Sequence, residues 1–150
     1  MKKDIRYVPT PPEVVTGMLN LAGIGSGDVL HDLGSGDGRL VVAAAERGAR
    51  GIGTDLDPSL IERSLALAAW AGVTATTDFR VGNFFEADLS DATIVTLYLF
   101  HDVNRALIPK LRREMRPGSR LISHSFGMGD WKPDREIEVE AKTLYLWTMP

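Results

Sequence analysis

Residues 32–39 form the stretch Asp32-Leu33-Gly34-Ser35-Gly36-Asp37-Gly38-Arg39. The apolar pair Val29-Leu30 precedes it, and an Ala-rich run without proline or glycine follows it through Arg47. This order predicts a strand at residues 28–33, a tight glycine-rich loop at residues 34–38 and a helix at residues 39–47. Glycines let the backbone approach a ligand closely, and the helix N-terminus offers N–H groups to an anion. In a parallel sheet, ligands bind at the carboxyl ends of strands, so this loop is the first candidate for a binding site.

Strand and helix patterns alternate along the rest of the chain. Helices are expected at residues 14–22, from Pro58 toward Gly72, and at residues 104–115. Further strands are expected at residues 52–56, 79–81, 93–99 and 120–126, and residues 136–141 and 143–148 are typical of an antiparallel hairpin. The pattern predicts an α/β fold with one doubly wound, mostly parallel seven-stranded sheet that carries the antiparallel hairpin at its C-terminal edge.

The composition narrows the class of protein. A chain of 150 residues with 44% hydrophobic residues suits a single domain spanning residues 1–150. The net charge of -3, with both signs interspersed, argues against a surface that holds nucleic acid. There is no cysteine, and the three histidines lack acidic neighbours at metal-ligand spacing, so no metal is expected. No signal peptide or transmembrane segment is evident, and we expect a cytoplasmic protein.

Two other glycine-loop classes fit this stretch poorly. A dinucleotide-binding fingerprint has its third glycine where this chain has Arg39, and a phosphate-binding P-loop ends in Gly-Lys-Ser/Thr, which is absent here. Asp55 stands at the end of the second predicted strand, where a carboxylate can accept hydrogen bonds from both hydroxyls of a ribose. The alternative is that Asp55 caps the helix ahead of Pro58, a role for which Asp57 is the better candidate. These features point to an adenosine-type ligand.

The motif at residues 32–39, with Asp55 after the next strand, resembles the class I S-adenosylmethionine (SAM)-dependent methyltransferases over nearly the whole chain. A narrower resemblance is to small archaeal protein-lysine methyltransferases and to mitochondrial enzymes that methylate a lysine of the ATP synthase c subunit or of the adenine nucleotide carrier. The residues that carry it are Tyr7-Val8-Pro9-Thr10-Pro11, Gly82-Asn83-Phe84-Phe85, Pro117-Gly118-Ser119-Arg120, Ser123-His124-Ser125-Phe126 and Trp131.

The resemblance implies that SAM is the cofactor and assigns residues to its parts. Asp32 and the backbone around Gly34 and Gly36 would hold the methionine end, and Asp55 would bind the ribose. Asn83 and Phe84 would face the adenine, although Phe84 and Phe85 could equally pack in the core. An N-terminal segment at residues 1–12 would close over the cofactor. The cofactor-binding set is Tyr7, Thr10, Asp32, Gly34, Ser35, Gly36, Gly38, Asp55, Asn83 and Phe84.

Methyl transfer to lysine needs alignment of the amine with the methyl group and loss of the ammonium proton. A narrow aromatic channel would desolvate and orient the amine, and its candidates are Tyr7, Tyr98 and Trp131. His124 is a candidate general base. The alternatives are core packing for Tyr98, surface packing for Trp131 and a hydrogen bond within the sheet for His124.

The residues after the fourth strand, Leu97-Tyr98-Leu99-Phe100, differ from the Asn-Pro-Pro-Tyr that enzymes acting on nucleobases or amides often carry. We therefore expect a protein-lysine N-methyltransferase whose partner is a protein with an exposed lysine, with nucleic acid a less favoured substrate. The alternatives are a methyltransferase acting on a small amine or another macromolecule, and a non-enzymatic SAM-binding module.

Overall fold

The computed structural model describes residues 8–150. Its helices are α1 (Pro12–Ala22), α2 (Arg39–Glu46), α3 (Pro58–Ala71) and α4 (His101–Glu114). Its strands are β1 (Val29–Leu33), β2 (Arg50–Asp55), β3 (Thr77–Val81), β4 (Ile94–Leu97), β5 (Arg120–His124), β6 (Arg135–Val139) and β7 (Lys142–Thr148). Two short 3₁₀ turns cover Thr74–Thr76 and Phe84–Glu86.

All seven strands form one sheet in the order β3-β2-β1-β4-β5-β7-β6. The pairs among β1 to β5 are parallel, while β7 runs antiparallel to both β5 and β6. The predicted fold class is thus confirmed, including the C-terminal hairpin. The strand order reverses beside β1, so the connections that follow β1 and β4 lead to helices on opposite faces and leave a crevice for a ligand between them. We call the edge where the parallel strands end the carboxyl edge, and the opposite one the amino edge.

The fourth and fifth strands are shorter than the sequence predicted. The prediction of a strand at residues 93–99 was wrong at its end, because β1 turns into the glycine loop after Leu33, the partner of Leu97. Residues 98–100 therefore lead directly into α4, which begins three residues earlier than predicted. β5 ends at His124 because Ser125 has a left-handed backbone, with φ of 70°. Both corrections place aromatic residues at the carboxyl edge instead of inside the sheet.

Helices cover both faces of the sheet. Helices α1, α2 and α3 share a buried cluster with Leu30, Ile94 and Ile122 on one face. Helix α4 packs with Val95 and Leu121 on the other face. Because successive strand residues point to opposite faces, these two clusters define which side each site residue occupies. No helix within residues 8–150 has both the length and the apolar character needed to cross a membrane.

Arg120, the first residue of β5, sets the direction of α1. Its guanidinium donates to the carbonyl oxygen of Ala22, at the end of α1, and to Asp28 Oδ1 at 2.7 Å. The C-terminal end of α1 is therefore held at the amino edge, and its first residue, Pro12, lies toward the carboxyl edge. The end of the chain also lies at the amino edge, since Met149 exchanges backbone hydrogen bonds with Gly118 and Ser119.

Candidate active site

The glycine-rich loop lies at the carboxyl end of β1 and is fixed by its neighbours. The N–H groups of Gly34 and Ser35 donate to the carbonyl oxygen of Thr54, at 2.9 and 3.0 Å. Gly38 has φ of +85°, and a Cβ there would lie 2.7 Å from Ser64 Oγ, so only glycine fits. Ser64, in α3, also lies within 3.1 Å of the Gly36 carbonyl oxygen. The loop therefore packs tightly against β2 and α3. Its glycines carry no side chains that would block a ligand, and we call this surface the glycine cradle.

Asp55 lies half-buried at the end of β2 and faces this loop. Its Oδ2 accepts from the Gly36 N–H at 2.9 Å, and its Oδ1 accepts from the Asp57 N–H at 3.0 Å. Each carboxylate oxygen keeps a further lone pair, so the group can still receive two hydroxyls. The alternative role of Asp55 as a helix cap is not what the structure shows, because Asp57 caps α3 by accepting from the Ser59 N–H at 2.9 Å.

One expectation about the loop needs correction. The N–H groups of Gly34 and Gly36 already donate to Thr54 and Asp55, so they are not free donors for the methionine carboxylate. Both glycines have a left-handed backbone, with φ of 83° at Gly34 and 58° at Gly36, so their contribution is the shape of the loop. Ser35 is buried beneath the loop, and a Cβ on Gly53 of β2 would lie 2.7 Å from its Oγ, so Ser35 packs on the strand.

Asp32 is the buried carboxylate of the site, with 8% of its surface exposed. Burial raises the pKa of Asp32 to about 7. The Thr96 hydroxyl, which donates to Asp32 Oδ1 at 2.9 Å, opposes this rise, while the neighbouring carboxylates of Asp55 and Asp37 add to it. A cation placed here would favour the ionised form of Asp32. The carboxylates thus form a site that suits a positively charged ligand.

Asn83 and Phe84 lie at the end of β3. Asn83 is exposed, and its Oδ1 accepts from the Phe85 N–H at 2.9 Å. Its Oδ1 keeps a second lone pair and its NH₂ group carries two donors, so the amide can present either an acceptor or a donor to an adenine. The Phe84 ring packs on the α4-side cluster and stacks on Phe85 with centroids 5.3 Å apart. Leu56, directly after Asp55, is an exposed apolar residue, with 67% of its surface accessible.

A second cluster of aromatic side chains forms where β4 and β5 end. The rings of Tyr98 and His124 stack with centroids 3.8 Å apart. His124 pairs with Leu144, which belongs to the cluster that α1, α2 and α3 share, so the His124 ring and the Tyr98 ring stacked on it lie on that face. Asp32, two residues after Leu30 of the same cluster, also lies on that face. Phe126 lies 6.3 Å from Tyr98 and also contacts Phe100, at 5.4 Å. We call Tyr98, His124, Phe126 and Phe100 the aromatic cluster.

His124 is completely buried, and within residues 8–150 neither ring nitrogen has a hydrogen-bond partner. The alternative role for His124, a hydrogen bond within the sheet, is therefore not what the structure shows. Burial, together with the charge of Lys142, lowers the pKa of His124 to about 4, so the imidazole is neutral near pH 7. A buried neutral imidazole without a partner has an unmet capacity to accept or donate a hydrogen bond, which a ligand in the cluster could satisfy.

The turn after β5 holds Phe126 in the cluster. Asn104, buried on α4, donates from Nδ2 to the carbonyl oxygens of Phe126 at 3.3 Å and Gly127 at 3.1 Å. The Ser123 hydroxyl also donates to the Phe126 carbonyl oxygen. Because this turn depends on the left-handed backbone of Ser125, no local pattern of residues indicates that Phe126 joins the site.

Trp131 does not join the aromatic cluster, and its predicted role in the channel is corrected. Its ring packs on Trp147, with centroids 5.8 Å apart, and beneath Arg112, whose Cζ lies 4.2 Å from the ring centroid. Trp147 pairs with Leu121 near the start of β5 and belongs to the α4-side cluster. The loop after β5 thus returns along the face opposite Tyr98 and carries Trp131 away from the site.

The remaining predicted residues are Tyr7 and Thr10. Tyr7 lies outside the described residues. Thr10 lies just before α1, and its carbonyl oxygen accepts from Arg39 NH1 at 3.0 Å, which places it beside the loop. Among residues 8–150, no group of three or more histidine, aspartate or glutamate side chains is arranged to hold a metal ion.

Comparison with known proteins agrees with this geometry. A structure described as an RNA methyltransferase from Salinibacter ruber, in complex with S-adenosyl-L-homocysteine, is 51% identical and has a TM-score of 0.93. The match covers 95% of this chain and 94% of that one. The fold and loop are those of a SAM-dependent methyltransferase, and SAM is its cofactor. The glycine cradle and the carboxylates fit this group, which would supply a sulfonium-activated methyl.

Residues 32–135 match the model of the ANTKMT methyltransferase domain, and the chain belongs to that family. It is 40% identical to a protein-lysine N-methyltransferase of Saccharolobus islandicus, over 97% of this chain and 94% of that protein. It is 33% identical to the adenine nucleotide translocase lysine N-methyltransferase of Mus musculus, over 89% of this chain but 58% of that protein. The Xenopus laevis enzyme that methylates a lysine of the ATP synthase c-subunit is likewise 33% identical, over 99% of this chain and 65% of that protein. The resemblance stated from the motifs is therefore confirmed.

The pKa of Asp32 leads to a testable pH dependence. Below about pH 7 the free protein holds Asp32 protonated, and a neutral carboxyl attracts the ammonium of SAM less. Between about pH 6 and pH 7.5, below the usual pKa of an α-amino group, the affinity for SAM should rise severalfold with pH. Calorimetry at both pH values measures this. The Asp32→Asn variant should bind SAM more weakly, and its affinity should not rise with pH. If its affinity rose as much as that of the wild type, Asp32 would not be the cause of the pH dependence.

Proposed function

We propose that this protein is a protein-lysine N-methyltransferase and that the aromatic cluster receives the lysine ε-amine. The stacked Tyr98–His124 pair, on the same face as Asp32 and at the carboxyl edge, is the observation that carries the proposal. The 40% identity to the Saccharolobus protein-lysine N-methyltransferase over nearly the full length of both chains supports it.

The chemistry needs a neutral amine in line with the methyl carbon. The nitrogen lone pair forms the new N–C bond as the C–S bond breaks, its electron pair stays on sulfur, and the amine proton leaves to solvent. An unperturbed lysine has a pKa of about 10.4, and a desolvating aromatic wall lowers it because burial disfavours the charged form. Half-buried Tyr98 and Phe126 provide such a wall.

We propose that His124 orients the amine as a hydrogen-bond acceptor and does not act as the predicted general base. With its pKa lowered to about 4, the imidazole holds a proton far more weakly than the amine. It therefore cannot store the lysine proton near pH 7. Both ring nitrogens are enclosed, so the stacked Tyr98 ring has to shift before one of them accepts an N–H hydrogen bond and directs the amine lone pair toward the cofactor.

RNA is the second candidate substrate, because the Salinibacter structure with 51% identity is described as an RNA methyltransferase. The charges at the carboxyl edge favour an amine instead. Asp32, Asp37 and Asp55 all lie around the loop, and Arg39 is paired with Asp37 at 2.6 Å. Polyanionic RNA is bound by basic grooves that release counterions, whereas this edge and the net charge of -3 attract cations.

Incubation with methyl-labelled SAM distinguishes these substrates. A host lysate is divided into a ribonuclease-treated protein fraction and a protease-treated RNA fraction, and each receives the enzyme. Label on lysine ε-amines, located by peptide mass spectrometry, is the expected result. Asp55→Ala, which should bind the cofactor poorly, is the control for contaminating methyltransferases. Label confined to RNA, or to arginine, glutamine or small metabolites, would refute the lysine assignment and leave the methyltransferase class intact.

A further inference from the structure

Arg39 occupies the position where dinucleotide-binding loops carry their third glycine, and cofactor binding alone gives it no role. It is the first residue of α2, directly after the loop. Its Nε and NH2 donate to the Asp37 carboxylate, with NH2–Oδ2 at 2.6 Å, and its NH1 donates to the Thr10 carbonyl oxygen at 3.0 Å. One guanidinium thus joins the cofactor loop to the segment before α1.

The segment it holds lies at the carboxyl edge. Residues 8–11 are Val8-Pro9-Thr10-Pro11, in which two prolines fix φ and leave little freedom to the backbone between them. Pro11 then caps α1, since its carbonyl oxygen accepts from the N–H groups of Val14 and Val15. Because the segment is stiff, a contact at Thr10 sets the direction of the chain on both sides of it.

Arg39 is also suited to the task chemically. Arginine presents several donors in a rigid planar fork, so it can bind a carboxylate and a carbonyl oxygen together, whereas a lysine ammonium is a point charge on a flexible stem. Arg39 is partly exposed, and its partner Asp37 belongs to the loop that would fold around the cofactor. A shift of Asp37 on cofactor binding would therefore be transmitted to Thr10.

We propose that Arg39 is a positioning residue that couples occupancy of the glycine-rich loop to the placement of the segment at residues 8–12. The proposal rests on the loop being the SAM site, but not on the identity of the methyl acceptor. In the occupied state the Arg39 bridge holds the segment against the loop and so forms the N-terminal wall of the site. Without the bridge, the loop still binds SAM, but the segment no longer responds to it.

Arg47 offers a matched control. It follows the other end of α2, and its NH1 donates to Asn20 Oδ1 of α1 at 2.8 Å. Both arginines thus tie α2 to the α1 region, Arg39 beside the loop and Arg47 away from it. Arg39→Gln and Arg47→Gln each remove one guanidinium, so any difference between them reflects the position and not the loss of charge.

The test combines calorimetry with hydrogen exchange on the full chain. In the wild type, S-adenosyl-L-homocysteine should slow exchange at residues 8–15. In Arg39→Gln this protection should be lost, while affinity falls less than about tenfold and kcat falls more than KM rises. Arg47→Gln should match the wild type, and Arg39→Lys should be intermediate. Equal protection in Arg39→Gln would overturn the proposal.

Asp37→Asn provides a second variant if Arg39→Gln does not fold. It removes the charge that holds the guanidinium and leaves the loop backbone unchanged, and it too should lose the protection at residues 8–15. Retained protection in Asp37→Asn would overturn the coupling. Failure of every form, including the wild type, to bind S-adenosyl-L-homocysteine would instead refute the cofactor site itself.

Discussion

Replacing Asp55 with alanine should weaken SAM binding at least tenfold. Hydrogen bonds to a charged group contribute about 1.5–3 kcal/mol each, and every 1.4 kcal/mol is about tenfold in affinity. The variant would lose the acceptors for the ribose hydroxyls and also the carboxylate oxygen that fixes the Gly36 N–H at 2.9 Å. The loop would then be less well ordered for the cofactor. Isothermal titration calorimetry with SAM and with S-adenosyl-L-homocysteine measures the effect.

Asp57→Ala is the matched control for this prediction. Asp57 caps α3, so its loss should lower the free energy of unfolding by about 1 kcal/mol. Its backbone N–H, which the substitution keeps, donates to Asp55, so SAM affinity should stay within about twofold. If Asp55→Ala and Asp57→Ala bind SAM equally well, Asp55 does not bind the ribose.

Replacing Tyr98 with alanine should lower kcat by about tenfold or more while SAM affinity changes little, because the ring would contact the acceptor and not the cofactor. The loss of the ring removes the stack on His124 and opens the aromatic cluster to water. Tyr98→Phe keeps the stack and should keep most of the activity. Steady-state kinetics on a lysine-containing substrate, combined with calorimetry for SAM, measures both quantities.

The pH profile adds a second readout for Tyr98. The wild-type rate should climb above neutral pH and level off as the amine titrates, and Tyr98→Ala should shift this rise to higher pH because the amine is better solvated. Trp131→Phe is the control. Trp131 packs on Trp147 on the opposite face of the sheet from Tyr98, so this substitution should leave kcat unchanged. A larger loss of kcat in Trp131→Phe than in Tyr98→Ala would place the acceptor elsewhere.

Local patterns predicted most of this fold because local chemistry determines it. The glycine loop, the strands around it and the cap at Asp57 follow from residues adjacent in sequence. The ends of β4 and β5 could not be predicted, because they depend on where β1 turns away and on the backbone of Ser125. Pairing with neighbouring strands sets where a strand ends, and the strand propensities of the residues do not predict that pairing.

The cofactor side of the candidate site was easier to predict than the acceptor side for the same reason. Asp32, Asp55 and the loop meet because parallel strands end together, which strand order alone implies. Phe126 reaches the aromatic cluster through a turn that Asn104 holds from another helix. Trp131 is only seven residues beyond His124, yet the path of the loop carries it to the other face. Nothing in the sequence around Trp131 specifies that path.

The position of the chain end at the amino edge has a practical consequence for engineering. Met149 pairs with Ser119 at 2.8 Å, on the side of the sheet opposite the loop and the aromatic cluster. A surface linker or fused protein attached after Pro150 would therefore leave the site open to a large substrate. Forms of this enzyme that are immobilised or tethered at Pro150 should therefore keep the site accessible.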